Sequence, residues 1–375
     1  FLILMDNSVL FPTDLKSIQS RLLRINPIEY AKTRNYINGK VTLISPYLTH
    51  GVISTQDVAR AVLSRYNKKD SFTFIFELAW REYLHMVWFN LKNMIEEDID
   101  CEQEGVVNKK MLSSVLNAKT GVESIDNAIN NLYKTGYLHN QTKLWIASLV
   151  CNIAKTHWKV PSLWLYYNSL DGDIGINTLC WQTAAGTFNG HKYYINQELI
   201  NKYSEIPQTD TFLDKIIPEV KKMSIPRPLQ EVVKDFELRT ELPESEVFEV
   251  DSSLPVLLYS IWNLKPDWHT TKNAQRILVL EPSHFNKYPM GRKRIQFILD
   301  LAKNIPDLKI YVGEISALKN LNRCKDVVCI QHPAIEHWPG KREYRSVIFE
   351  NLINKYREYD EFWEEAEQEY QKLRI

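Results

Sequence analysis

Along most of the first 203 residues, apolar positions recur three and four residues apart, the spacing that gathers them on one side of a helix. The pattern predicts helices over Asp57 to Arg65, Phe72 to Asn93, Ile125 to Thr135, Asn140 to Trp158 and Asp173 to Ala185, all rich in strong helix formers. Pro46, Gly51, Gly121, Gly136 and Pro161 fall between these stretches and mark the breaks. The stretch from Phe72 is apolar nearly all round, which predicts a helix deep inside a large helical domain.

Beyond residue 203 the pattern changes. Pro207, Pro218, Pro226, Pro228 and Pro243 punctuate a charged segment with the character of an extended linker. Val256 to Trp262, Ile277 to Leu280, Lys309 to Val312 and Asp326 to Ile330 then read as short strands, with an amphipathic helix over Arg292 to Asn304 between the second and third. That alternation predicts a small parallel α/β domain. Lys341 to Leu373 reads as a long charged helix with a solvated face. The predicted fold is therefore multidomain, α and α/β: a helical domain over 1–205, a linker over 206–254 and an α/β domain over 255–375.

Composition adds limits. A chain of 375 residues holds two domains, each with its own core. Formal net charge is zero, so no overall basic field draws the protein to nucleic acid. Cys101, Cys151, Cys180, Cys324 and Cys329 form no CxxC pair and have no spacing for zinc or an iron–sulfur cluster, and no metal is expected. The opening Phe-Leu-Ile-Leu is too short for a signal segment before Asp6, and no run reaches membrane-spanning length. The expectation is a soluble, cytoplasmic protein without a membrane partner, and a start at Phe1 suggests a trimmed or fused terminus.

Several segments could carry chemistry. Asp171-Gly172-Asp173 forms an acid-Gly-acid turn, and Asn177 and Trp181 follow Asp173 on one helical stripe. The stripe is either an N-cap followed by a polar-to-aromatic face or the wall of a planar redox cofactor. Val41 to Tyr47 is hydroxyl-rich where a helix could begin, suiting either an ordinary cap or an anion. Glu77, Trp80 and Arg81 share a face, as do Asn140, Lys143, Leu144 and Ala147. Lys143 needs a counter-charge if buried, and otherwise snorkels to solvent. His50, His139 and His157 lack metal-ligand spacing.

Four segments, in order, resemble the flavin domain of the DNA photolyase/cryptochrome family: Tyr30 to Tyr47 (YAKTRNYINGKVTLISPY), Glu77 to Tyr83 (ELAWREY), Gly136 to Ser148 (GYLHNQTKLWIAS) and Asp171 to Gln182 (DGDIGINTLCWQ). The resemblance runs from Tyr30 to about Asn196. It implies an all-helical, photolyase-type FAD-binding domain followed by a small Rossmann-like domain. The latter is similar to the family's antenna domain but follows the flavin domain instead of preceding it, as in a circular permutation. Whether it carries an antenna chromophore is left open.

By resemblance, Tyr30, Thr42, Leu43, Ile44 and Ser45 would hold the FAD pyrophosphate. Val41 departs from the hydroxyl usual at its position. Arg81, Asn140, Lys143, Asp171, Gly172, Asp173 and Asn177 would complete the cofactor site, with Lys143 paired to Asp171. Lys143 stands where the family has Arg, which removes a bidentate fork. Asn177 would face flavin N5, a choice that suits a reduced anionic flavin and leans toward repair. Glu77, Trp80 and Asn140 would hold a pyrimidine dimer, extruded from the duplex as in photolyases generally. Trp181 and Trp158 match the inner and middle members of the family's tryptophan relay, whereas the outermost position falls at Gly105. Trp145, Trp164 or Tyr166 could finish another route or simply fill the core. Thr183, Gln141 and Leu144 replace a Trp, an Arg and a Met usual around the lesion.

The function implied is that of a deoxyribodipyrimidine photolyase-like lyase, a blue-light-driven flavoprotein repairing cyclobutane pyrimidine dimers by electron transfer from reduced FAD. Its partner would be UV-damaged DNA. The alternative is a cryptochrome-like photoreceptor that signals to a protein partner without repair.

Overall fold

The computed structural model describes residues 10–352 and 356–373. Contacts gather the chain into two compact units that are not successive in sequence. The first takes in residues 28–41 and 91–238, and the second residues 11–27, 42–90 and 239–375.

The first unit is helical. The Glu123–Thr135 helix buries Ile125, Ile129 and Leu132, four and three residues apart. It stops at Gly136, whose φ of 72° lies in the left-handed region that glycine enters without strain. A Cβ there would also come within 2.7 Å of Leu170. Gly136 O accepts from Leu170 N–H at 2.8 Å, and this close approach fixes the chain just before Asp171. The Asn140–Ser148 helix follows, capped by His139, whose Nδ1 accepts from Gln141 N–H at 3.1 Å. The Ile174–Ala185 helix is capped by Asp173 and ends at Gly186. Trp145, Trp158, Trp164 and Trp181 all lie in the shared core.

The predicted helix over Asn140 to Trp158 is interrupted. After Ser148 the chain widens into a π-helical turn, Leu149–Ile153, with Ala154 N–H donating to Leu149 O. Lys155 then takes a left-handed φ of 53°, and Thr156 pairs with Asn108 in a parallel bridge. Trp158 therefore caps a separate helix, Lys159–Asn168. Pro161 sits in that helix's first turn instead of between helices, where a missing N–H costs no intrahelical bond. The proline-punctuated stretch also differs from a free tether over its first half, since Leu213, Val220 and Leu229 are buried in the core of the first unit.

The second unit contains the parallel sheet, in the order β3-β2-β1-β4-β5. Its strands are β1 Val256–Tyr259, β2 Gln275–Leu280, β3 Leu308–Val312, β4 Val327–Ile330 and β5 Lys341–Glu343. Val256 of β1 aligns with Gln275 of β2 and Val327 of β4. All four residues of β1 are buried, as expected for a central strand of a parallel sheet. The Arg292–Ala302 helix connects β2 and β3. β5 falls within the stretch predicted as a long helix. Gly340 precedes it with φ 97°, where a Cβ would come within 2.3 Å of Val327 O.

The Lys68–Leu91 helix, expected inside the helical domain, lies in the second unit through residue 90. Only Tyr359–Lys372 of the predicted charged tail is helical, and residues 353–355 of that tail lie outside the described residues. Nor is the tail simply solvated. Tyr359, Phe362, Trp363, Ala366 and Tyr370 form a buried stripe that meets the aromatic residues of the Lys68–Leu91 helix. Phe76 packs edge-on to Trp363 with centroids 4.9 Å apart, and Phe72 contacts both Trp363 and Tyr370. Each such ring pair contributes roughly 0.5–1.5 kcal/mol beyond area burial. Tyr359 Oη donates to Phe76 O and Tyr370 Oη to Lys68 O, both at 2.6 Å, so neither phenol is buried without a partner.

Glu82 ties a further segment to the same helix. Its carboxylate accepts from Ile348 N–H at 2.7 Å, Phe349 N–H at 3.3 Å and the Thr55 hydroxyl. Burial outweighs these donors and raises its pKa to about 7. His139 shifts down to about 4, first through burial and then through the charge of Lys143, with a backbone contact to Arg34 partly opposing.

The two shifts have opposite consequences. Between the ordinary carboxylate range and pH 7 the folded state holds a proton on Glu82 that the unfolded chain releases. Its stabilising contribution is therefore lost as pH rises through 7. Glu82→Gln should remove this dependence, so the variant gains on the wild type by about 1–3 kcal/mol between pH 5 and 8 in thermal denaturation. His139 stays neutral in the fold while the unfolded chain protonates, so its contribution fades as pH falls from 6.5 toward 4. His139→Asn keeps an N-cap acceptor and should flatten the acid limb by about 1–3 kcal/mol, read by the same melts.

Candidate functional site

The first unit brings Lys143 and Asp171 together. Lys143, on the Asn140–Ser148 helix, places Nζ 3.0 Å from Asp171 Oδ1 and 2.9 Å from Oδ2. The Asp171 side chain is 6% exposed and that of Lys143 27%, so one end of the pair is withdrawn from water and the other reaches its edge. One ammonium thus spans both carboxylate oxygens, a point-charge substitute for a guanidinium fork. Two residues on, Asp173 is buried and its Oδ1 accepts from Ile176 N–H at 3.0 Å. Of the two carboxylates in the turn, Asp171 faces a cation and Asp173 starts the helix. The simple capping role thus belongs to Asp173.

Asn177 lies one helical turn beyond Asp173. Its Nδ2 donates to Ser162 O at 2.9 Å. A carbonyl oxygen can only accept, so that contact fixes the orientation of the amide and uses one of its two N–H donors. Oδ1 is the acceptor end of Asn177. This acceptor and the half-buried ion pair fit the hydrogen-bonding side of a reduced isoalloxazine. Beyond them, Gln182 is fully buried: Nε2 donates to Ile95 O and Glu97 O, and Oε1 accepts from Ile99 N–H and the Thr187 hydroxyl. These bonds hold the helix against the chain leading to Asp98.

Trp181 and Trp158 are both buried in the same core cluster but make no direct ring contact with each other. Trp158 Nε1–H instead donates to Asp98 at 2.6 Å, and His157 stacks on its ring. Trp164 Nε1–H donates to Tyr133 Oη at 3.0 Å, in keeping with a core role. Gly105 occupies a turn with φ 72° and open space around it. Thr183 returns its hydroxyl to Leu179 O at 2.8 Å, one turn back. Asn140 opens its helix, and Tyr30 lies on the Pro27–Thr33 helix.

The remaining candidates lie in the second unit. Leu43 adopts a left-handed φ of 54°, uncommon for a residue with a Cβ, and its carbonyl accepts from Arg21 Nη1 at 3.1 Å. Thr42 precedes it, and Ile44 caps the Ser45–Thr49 helix. At five residues that helix offers a weaker dipole than the sequence suggested. Arg81 Nη2 donates to the Thr49 hydroxyl at 3.0 Å. Trp80 is 37% exposed but not isolated: Tyr359 packs on it with centroids 4.1 Å apart, and burial raises the Tyr359 pKa far above the usual phenol range, with Glu77 adding to it. A cavity of about 560 Å³ in this unit is lined by residues such as Ile18, Ile53, Arg60 and Lys265, and by none of the predicted flavin residues.

Sequence reasoning missed Asp98, Glu82 and Tyr359. Asp98 sits in an acidic run, Glu-Glu-Asp-Ile-Asp, where nothing singles it out. Tyr359 carried a signal, the aromatic spacing of its helix, which the helix's high charge concealed.

Residues 74–244 match the family model described as the FAD binding domain of DNA photolyase. A cryptochrome DASH of Danio rerio is 24% identical over 201 residues, 51% of this chain and 39% of that protein. A deoxyribodipyrimidine photo-lyase of Buchnera aphidicola is 23% identical over 229 residues, 58% of this chain and 46% of that protein. The crystal structure of a Synechocystis cryptochrome aligns with a TM-score of 0.46 at 21% identity, covering 50% of this chain and 42% of that one. The chain spans less than half the length of the curated relatives it matches. Among the described residues no helix is long and apolar enough to cross a membrane. The family match covers the helices that carry the Lys143–Asp171 pair and the Asn177–Trp181 stripe, and over that part the chain is similar to the flavin domain of the photolyase/cryptochrome family.

Proposed function

We propose that this chain is a blue-light flavoprotein that holds FAD at the Asp171 turn and splits cyclobutane pyrimidine dimers in UV-damaged DNA. The observation that carries the reading is Lys143 clamped on a nearly buried Asp171, with Asn177, whose amide is oriented by Ser162 O, six residues further along the chain. When bound, reduced FAD supplies light absorption and the transferable electron. Asp171 and Lys143 orient the ring side without adding net charge. Asn177 accepts one N–H through Oδ1. Thr42, Leu43, Ile44 and Ser45, with Tyr30 and Arg81, are the proposed holders of the phosphates. Glu77, Trp80 and Asn140 are the proposed lesion contacts, with base-on-indole stacking contributing about 1–3 kcal/mol per base. The flavin domain so proposed runs over residues 1–205.

One observation favours the photoreceptor reading: Tyr359 occupies one side of Trp80, the residue proposed to stack on the lesion. Thr183 and Gln141, in place of a Trp and an Arg, point the same way. The two readings separate on a thymine-dimer oligonucleotide. Reduced, FAD-loaded protein under blue light should restore intact thymines, with no conversion in the dark. Equal yields in light and dark would reject repair and leave the photoreceptor reading. If Tyr359 limits access, Tyr359→Ala should tighten binding to dimer-containing DNA by about five-fold or more while leaving undamaged DNA unchanged, measured by fluorescence anisotropy at fixed salt.

A further inference from the structure

Trp158 is 1% exposed, yet its indole N–H ends on a charged group. Nε1 lies 2.6 Å from Asp98 Oδ1, short even for a charge-assisted hydrogen bond. Asp98 is held from its other side, Oδ2 accepting from Gln103 N–H at 2.8 Å. Gln103 Oε1 in turn accepts the Trp158 backbone N–H at 3.0 Å, so acid, amide and indole lock one another. His157 stacks on the Trp158 ring, planes 28° apart and centroids 5.6 Å apart. Its Nδ1 accepts from Lys159 N–H at 3.3 Å, so the neutral ring carries its proton on Nε2, which lies 3.5 Å from Asp98 Oδ1. Burial holds the His157 pKa below its ordinary value and favours that neutral form. The Asp98 side chain is 17% exposed, an exit to water that Trp158 itself lacks.

A buried indole needs an acceptor, and any carbonyl would serve. A carboxylate adds a base. Neutral indole is a very weak acid, but loss of one electron brings its N–H into the acidity range of a carboxylic acid, so a carboxylate can take the proton. We infer that Asp98 is the proton acceptor of Trp158, converting a one-electron hole on that residue into a trapped neutral radical. The inference rests on the flavoprotein reading, which supplies the oxidant: a photoexcited oxidised flavin, with Trp181 as the intermediate carrier. In the step itself, Trp158 loses one electron to that carrier. Its Nε1–H bond then breaks heterolytically, an O–H bond forms on Asp98, and a neutral indolyl radical is left beside a neutral carboxylic acid. A soluble thiol reductant later returns the electron, and the proton goes back from Asp98. Trapping at Trp158 would let the relay end there, without the outer tryptophan that Gly105 replaces.

Asp98 is a positioning and proton-accepting residue, so the test reads the radical and not repair. Flash photolysis of protein loaded with oxidised FAD should give the neutral tryptophanyl radical, identified by its visible spectrum and electron paramagnetic resonance. Its formation should slow in D₂O, and Trp158→Phe should abolish it. Asp98→Asn keeps an oxygen acceptor but not a base, and the radical cation should persist about ten-fold longer or more. Asp98→Glu, which keeps the base, should restore much of the wild-type behaviour and guards against a folding defect. Wild-type deprotonation rates in Asp98→Asn would overturn the inference, as would an isotope-insensitive wild type. If the protein takes up no flavin, the flavoprotein reading fails separately. The same variants oxidised by photogenerated tris-bipyridyl ruthenium(III) then still decide whether Asp98 takes the proton.

Discussion

A single ammonium group spanning both oxygens of Asp171 is the constraint from which the candidate site follows. A nearly buried carboxylate without a partner would cost several kcal/mol, and Lys143 offsets that cost only if its helix and the turn are held in register. The surrounding sequence supplies the register. Gly136 lets Leu170 pack against the end of the preceding helix, His139 starts the helix that carries Lys143, and Asp173 starts the one that carries Asn177. The ion pair is thus a consequence of three helix termini meeting, and it ends at the edge of solvent on the lysine side. That arrangement fixes a charge-neutral pair and the Asn177 amide relative to the same turn.

The second unit is organised by aromatic packing and not by charge. The Lys68–Leu91 and Tyr359–Lys372 helices face each other through Phe72, Phe76, Trp80, Trp363 and Tyr359, and the tail's carboxylates occupy its other sides. Trp80 is part of that packing, so its availability to a ligand depends on Tyr359. The same helix turns Glu82 toward the 348–349 backbone, adding a titratable contact to an otherwise apolar seam.

What could be read in the sequence follows from range. The Asp171 turn and its helix were legible because their residues lie within a few helical turns of local pattern, whereas the Lys143 partner, 28 residues away, was indicated only by the family resemblance. The four main strands were legible as β-branched runs between turn residues. β5 was not, because three residues that pair only with β4 carry no local period. The break before Trp158 was hidden because Leu149 to Ile153 keeps helical composition while the backbone widens, and only tertiary pairing of Thr156 with Asn108 draws it away. Asp98 was invisible for the same reason: its meaning is a contact with an indole sixty residues further on.

The most direct measurement is FAD binding by equilibrium titration, wild type against Asp171→Asn and Lys143→Arg. Wild-type protein should take up one FAD with a structured flavin absorption band. Asp171→Asn should weaken binding by about ten-fold or more, and Lys143→Arg, with its bidentate fork, should bind at least as tightly as wild type. A wild-type chain that binds no FAD, or an Asp171→Asn variant that binds it unchanged, would contradict the assignment of this turn as the flavin wall.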